Sequence, residues 1–178
     1  SFNPYLYTAS NWSILKPFVD TKTGNVNAER VTKHYIAKGC SDGLPINSFD
    51  HWNYLANSVP SIMELLCKPD GNTEWNFMRL TPTRAAKLFI RKGGVVSDSF
   101  DASEFVKLYV GDYDEVNVDR KLNVENAAYY FVKGYVTNPT VRWRTTYRYA
   151  VLDFLRNRMF DMIRQMPIHI GRCLVFSR

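Results

Sequence analysis

Thiols, imidazoles and guanidinium groups are the side chains through which this sequence could do chemistry, and all but the last are sparse. Three cysteines (Cys40, Cys67, Cys173) and three histidines (His34, His51, His169) make up the set of soft ligands and general bases. A metal site draws on ligands at short fixed spacings such as CxxC or HExxH. Neither pattern occurs, so no metal is expected, and an odd cysteine count gives no disulfide framework. A thiol nucleophile would be Cys40 or Cys67, brought to a histidine by folding alone. Cys40 follows Gly39 just past a helix end, where the dipole does not favour a thiolate. Cys67 follows Leu65 and Leu66 and reads as core or near-core. The sequence has no GxSxG, P-loop or GxGxxG, and Gly93-Gly94 reads as a helix stop. Asp112, Asp114 and Glu115 lack calcium-loop spacing and read as solvated charge. The expectation is a protein without catalytic residues or cofactor.

The guanidinium groups, by contrast, are concentrated. Residues 141–178 hold eight arginines, no lysine, and only Asp153 and Asp161 as acids, so the whole formal charge of +6 lies there. A local basic field favours anionic partners: nucleic acid, phosphate headgroups or an acidic protein face. Arg142, Trp143, Arg144, Tyr147, Arg148, Arg156, Arg158, Arg164 and Arg172 are therefore the candidate partner-binding residues. Arg144 and Arg148, four apart, project together from a helix.

Helices must position these groups. From Val141 to Met166, apolar side chains recur at three- and four-residue spacing, which predicts one long basic helix. TNPT at 137–140 precedes it and Pro167 ends it. The last stretch, IHIGRCLVFSR, reads as a short strand or extended arm. This tail either caps the preceding helices, mediates assembly, or lies on nucleic acid or a membrane surface. Its arginines spread around the helix, which suits nucleic acid only in part.

Residues 1–140 carry an internal repeat. Three segments open at Phe2, Phe49 and Phe100: FNPYLYTASNWSIL, FDHWNYLANSVPSIMELL and FDASEFVKLYVGDYDEV. Each has an aromatic five residues later (Tyr7, Tyr54, Phe105). Each opening Phe precedes a helix-capping Asn3, Asp50 or Asp101. The second halves read NAERVTKHYIAKG, TPTRAAKLFIRKG and NVENAAYYFVKG, with Asn27, Thr81 and Asn123 as caps or near-caps. Val31, Tyr35 and Ile36 should share an apolar stripe, as should Ala85, Leu88 and Phe89, and Ala127, Tyr130 and Phe131. The closing Lys-Gly predicts a left-handed C-cap at Gly39, Gly93 and Gly134.

The expected architecture is mainly α: three stacked helical-pair repeats (1–48, 49–99, 100–140), then a long basic helix and short arm (141–178). An ordinary globular α domain with recurrent capping signals is the alternative, and VKLYV or VNV admits a short strand. Apolar residues at 46% and aromatics at 15% supply a core and rule against global disorder. The opening SFNPYLYTAS lacks the basic region and apolar run of a signal peptide. No apolar run reaches membrane-spanning length.

These segments resemble a short helical module found in many copies in some bacterial surface proteins and large DNA virus proteins. There, Phe-Asp and a Tyr-Leu-Ala-Ser/Asn-x-x-Asp-Leu helix precede a second helix ending His-Tyr-x-x-x-Gly. The matches here are Phe49-Asp50 with Tyr54-Leu55-Ala56-Asn57, His34-Tyr35 with Gly39, and Ala9-Ser10. The module's Pro-Asp-Leu is replaced by Pro60-Ser61-Ile62, and Leu108 to Val110 departs further. The resemblance spans residues 2–140 and implies a non-enzymatic, architectural protein. With its basic aromatic tail, the chain looks similar to small accessory capsid proteins of giant icosahedral viruses, which glue capsomers together. That implies a minor capsid protein of the virion shell, present in host cytoplasm during assembly. Its partners would be other capsid or scaffold proteins in a homo-oligomer or large hetero-assembly, over an underlying anionic membrane surface. A nucleic-acid-binding module using the arginine-rich segment is the second expectation.

Overall fold

The computed structural model describes residues 2–20, 22–96, 100–107 and 122–138. The chain divides into two compact units, Ser1–Thr137 and Asn138–Arg178. The predicted long helix, the arm and VNV lie outside the described residues. The described part of the first unit is mainly helical, and the capping residues show why.

Asn3 Oδ1 accepts the N–H groups of Tyr5 and Leu6 and starts α1 (Pro4–Ser10), with Pro4 in the first turn. Asn11 breaks this helix: its Nδ2 donates to the carbonyls of Tyr7 and Pro45. α2 (Trp12–Leu15) and a 3-10 turn (Lys16–Phe18) follow. Val19–Asp20 (β1) pairs antiparallel with Asn25–Val26 (β2) through a turn that places Gly24 at φ 69°. α3 (Ala28–His34) begins where Asn27 accepts the Arg30 N–H, and it widens into a π turn over Tyr35–Gly39.

Asp50 caps α4 (His51–Ala56), and α5 (Val59–Leu66) follows a break at Asn57-Ser58. A 3-10 turn at Phe77–Arg79 leads to α6 (Pro82–Arg91), capped by Thr81. Asp101 accepts the Glu104 N–H ahead of α7 (residues 102–107), so the first two residues of VKLYV are helical. Asn123 and Asn126 exchange side-chain-to-backbone bonds before α8 (Ala127–Thr137).

Two buried clusters hold these elements. One joins Tyr7, Leu15, Val31, Ala86 and Ile90. The other includes Tyr54, Leu55, Ile62, Leu66, Ala85, Phe105, Phe131 and Val132. Phe49 and Phe89 pack against both. α1 packs against α3 and α6, and α4 against α6 and α8.

One arrangement of rings occurs three times. Phe2, Tyr7 and Tyr35 form a triangle with centroids 5.4, 5.0 and 5.3 Å apart. Phe49, Tyr54 and Phe89 form another, at 5.8, 5.2 and 5.4 Å. Phe100, Phe105 and Phe131 form a third, at 5.7, 5.0 and 5.6 Å. In each, the ring five positions after the opening Phe meets the ring from the later helix edge-on, at 72°, 80° and 90°. Edge-to-face contact sets the positive rim of one ring against the negative face of the other. Four residues before the later ring stand Val31, Ala85 and Ala127, all buried.

Several sequence expectations are corrected. Gly93 takes the left-handed conformation (φ 74°), but Gly39 and Gly134 do not. Gly39 ends the π turn, and a Cβ there would run into the Tyr7 hydroxyl, so close packing selects glycine. The left-handed residue after α3 is Gly43. Gly134 is buried inside α8, which runs on to Thr137 because Tyr135 and Val136 still have core to fill. Ile36 is 72% exposed, off the stripe it was assigned to. Cys67 is exposed, as is Cys40, because the chain leaves α5 at Cys67 for a solvated hook.

Candidate functional site

The residues expected to bind a partner, Arg142 to Arg172, lie outside the described residues. The first unit offers three other places where polar chemistry gathers.

The first is a buried network that sequence reading missed. Tyr54 Oη lies 3.0 Å from Ser61 Oγ, and Ser58 Oγ lies 2.7 Å from the same atom. Lys92 Nζ donates to Ser61 Oγ at 3.2 Å and pairs with Glu64 at 3.2 Å, and Arg91 also pairs with Glu64. A lysine beside a serine is the geometry of a nucleophile and its base. Here, however, Lys92 Nζ already donates to Ser61 and is ion-paired with Glu64. Ser61 has no exposed surface on which a substrate could land. Burial pushes the Tyr54 phenol pKa up, and the Ser61 bond acts against that rise. The network is a latch joining α4, α5 and the end of α6, with its buried hydroxyls mutually satisfied. The Ser-x-x-Ser spacing was the only signal in the sequence, and it is indistinguishable there from an ordinary helix start.

The second is the environment of His34. Tyr7 Oη lies 3.2 Å from His34 Nδ1, and the Phe18 ring packs against the imidazole at 5.8 Å. Burial, with Tyr35 and Asp42 nearby, raises the Tyr7 pKa. His51 sits apart from this, against the Trp52 ring at 4.1 Å, and burial lowers its pKa while Asp50 pulls the other way. Among the described residues no cluster of His, Cys, Asp or Glu is arranged to hold a metal ion. None of the described helices is long and apolar enough to cross a membrane.

The third is a shallow cleft of about 400 Å³ beside Ser10, Phe49, Asn53, Asn57 and Phe89. Its lining contains neither cysteine nor histidine, so it does not unite the thiols with a base. Two of its polar side chains are committed to the backbone. Ser10 Oγ accepts the N–H groups of Ser48 and Phe49 at 2.9 and 3.0 Å. Asn57 Oδ1 accepts the Phe100 N–H at 2.7 Å. Ser10 stands eight residues after Phe2, and Asn57 eight after Phe49. The same position therefore fastens the start of the next segment twice.

What recurs in this molecule is thus a joint. Three ring triangles recur, and oxygen acceptors at Ser10 and Asn57 hold the N–H groups of Phe49 and Phe100. No protein-family model, curated protein or solved structure matches the chain.

Proposed function

We propose that the chain is a non-enzymatic scaffold protein of three stacked helical pairs (1–48, 49–99, 100–140) and a basic C-terminal helix and arm (141–178). It works as a cement between neighbouring subunits of a larger shell, as a minor capsid protein in the virion of a large DNA virus. The observation that carries the architectural part is the threefold ring triangle with its repeated acceptor at Ser10 and Asn57. A unit that recurs in geometry as well as sequence buries its faces against its neighbours. The capsid assignment rests on the resemblance of residues 2–140 to the helical module and on the basic tail.

In this reading aromatic side chains supply buried contact area, and the tail arginines meet acidic faces of neighbouring subunits or an anionic membrane beneath them. The test is size-exclusion chromatography with light scattering at low and moderate salt, alone and with the major capsid protein of a large icosahedral DNA virus. Co-elution that weakens with salt, and weakens further on replacing Arg144 and Arg148 together with Glu, is the expected result. A monomer that ignores protein partners and shifts on random DNA would overturn it in favour of nucleic-acid binding.

A further inference from the structure

Asn11, Trp12 and Ser13 form an Asn-x-Ser triplet without proline at x, the acceptor sequence for N-linked glycans. It is the only such triplet in the sequence, since Asn138-Pro139-Thr140 has proline in the barred position. Ser13 is exposed, but Asn11 is buried, with 6% of its surface exposed. Asn11 Nδ2 donates to the Tyr7 carbonyl at 2.9 Å and to the Pro45 carbonyl at 2.8 Å. An amide nitrogen carries two hydrogens, so both are engaged. Together the two bonds close the end of α1 and tie it to the segment ahead of α4.

We propose that Asn11 is a glycan acceptor in the unfolded chain alone, and that modification there and this fold exclude each other. Transfer forms a bond from Nδ2 to C1 of a sugar carried on a lipid pyrophosphate. The bond from C1 to the pyrophosphate oxygen breaks, the lipid pyrophosphate leaves, and Nδ2 gives up a proton. One N–H then remains for two carbonyls, so either Tyr7 or Pro45 loses its donor. A bulky, hydrated sugar must also sit where the side chain is closed off from water. The folded molecule is shut to the transferase for the same reason, because Nδ2 cannot reach C1 without leaving both carbonyls. Order of synthesis decides between the two states. Pro45 follows Asn11 by 34 positions, about 2–7 s of synthesis at roughly 5–20 residues per second. A chain entering a glycosylating compartment as it is made is therefore modified before Asn11 is closed in. The native fold belongs to chains made outside such a compartment. This holds whether or not the chain is a scaffold.

The test adds a cleavable secretory leader to the full chain, in cells that carry the transferase, beside the same chain without a leader. The leader-bearing chain should gain the mass of one glycan at Asn11. Ser13→Ala, which destroys the triplet by changing an exposed side chain, should abolish that gain. Glycan-bearing molecules should be digested by a protease roughly tenfold faster than Ser13→Ala molecules taken through the same compartment. Asn11→Asp in the leaderless chain keeps the size of the side chain and removes both donors, so it should unfold at lower urea than the parent. A chain whose leader is cleaved but which stays unmodified would overturn the acceptor assignment. Equal digestion of glycan-bearing and Ser13→Ala molecules, or an Asn11→Asp chain as stable as its parent, would overturn the exclusion.

Discussion

Asn57 Oδ1 accepts the backbone N–H of Phe100 at 2.7 Å, across 43 positions of sequence. Ser10 does the same for Phe49 across 39. Each bond satisfies a part-buried N–H ahead of a helix cap, so deleting the acceptor leaves that donor without its partner. Ser10→Ala and Asn57→Ala should each lower unfolding free energy by about 1 kcal/mol. The two joints share no partner, so the double variant should lose the sum. Urea denaturation of the four chains measures this, and strong non-additivity would show that the joints are not independent.

Gly39 is held by the Tyr7 hydroxyl rather than by backbone conformation. Gly39→Ala should destabilise by about 1–3 kcal/mol through overpacking. Tyr7→Phe removes the obstructing oxygen but leaves the ring Cζ close to the new Cβ, so Gly39→Ala in that background should cost clearly less without becoming neutral. A thermal-melt double-mutant cycle checks it. An equal penalty in both backgrounds would place the conflict elsewhere.

Phe89 touches Trp12, Phe49 and Tyr54 and borders both clusters. Phe89→Ala should therefore cost about 3 kcal/mol or more and loosen the helices on both sides. Amide exchange should rise in α1 and α4 together. A rise confined to one of them would mean that the ring does not couple the clusters.

His51 gives a pH dependence of definite sign. Burial lowers its folded-state pKa, so the folded protein holds fewer protons than the unfolded chain. Stability is then intact above the ordinary imidazole value of about 6.5 and falls as pH drops through it toward the lowered folded value. His51→Gln should flatten the stability curve in that window. Asp20, Asp70 and Glu74 also have lowered pKa values, from hydrogen bonds to Thr23, Asn72 and Arg79 first. Their losses come at lower pH and remain in the variant.

The legible parts of the fold were those set by local chemistry. Asn3, Asp50 and Asp101 cap helices because a short polar side chain ahead of an apolar run has few better uses. Tyr7, Tyr54 and Phe105 were visible as a recurring spacing, and the Ala-Ser and Ala-Asn pairs as a recurring dipeptide. What those pairs do was not visible, because Ser10 and Asn57 act on backbone some forty positions away. Ile36 was misread for a related reason: helical periodicity marks a face but not whether another helix covers it. β1 and β2 have two residues each, too few for alternation to register. Gly134 reads locally as a stop, and only the contacts of Tyr135 and Val136 carry the helix past it. The candidate site at Ser61 had only the Ser-x-x-Ser spacing to mark it, since its tyrosine and lysine come from other helices.

The contact between α1 and α6 also governs when the protein can fold. Asn3 and Thr83, which hydrogen-bond to each other, are 80 positions apart. At roughly 5–20 residues per second of synthesis, α1 waits about 4–16 s for the helix it lies against. Throughout that interval the side of α1 that packs on α6 lacks that cover. Nascent chains should therefore be open to chaperones and proteases around α1 until α6 has cleared the ribosome.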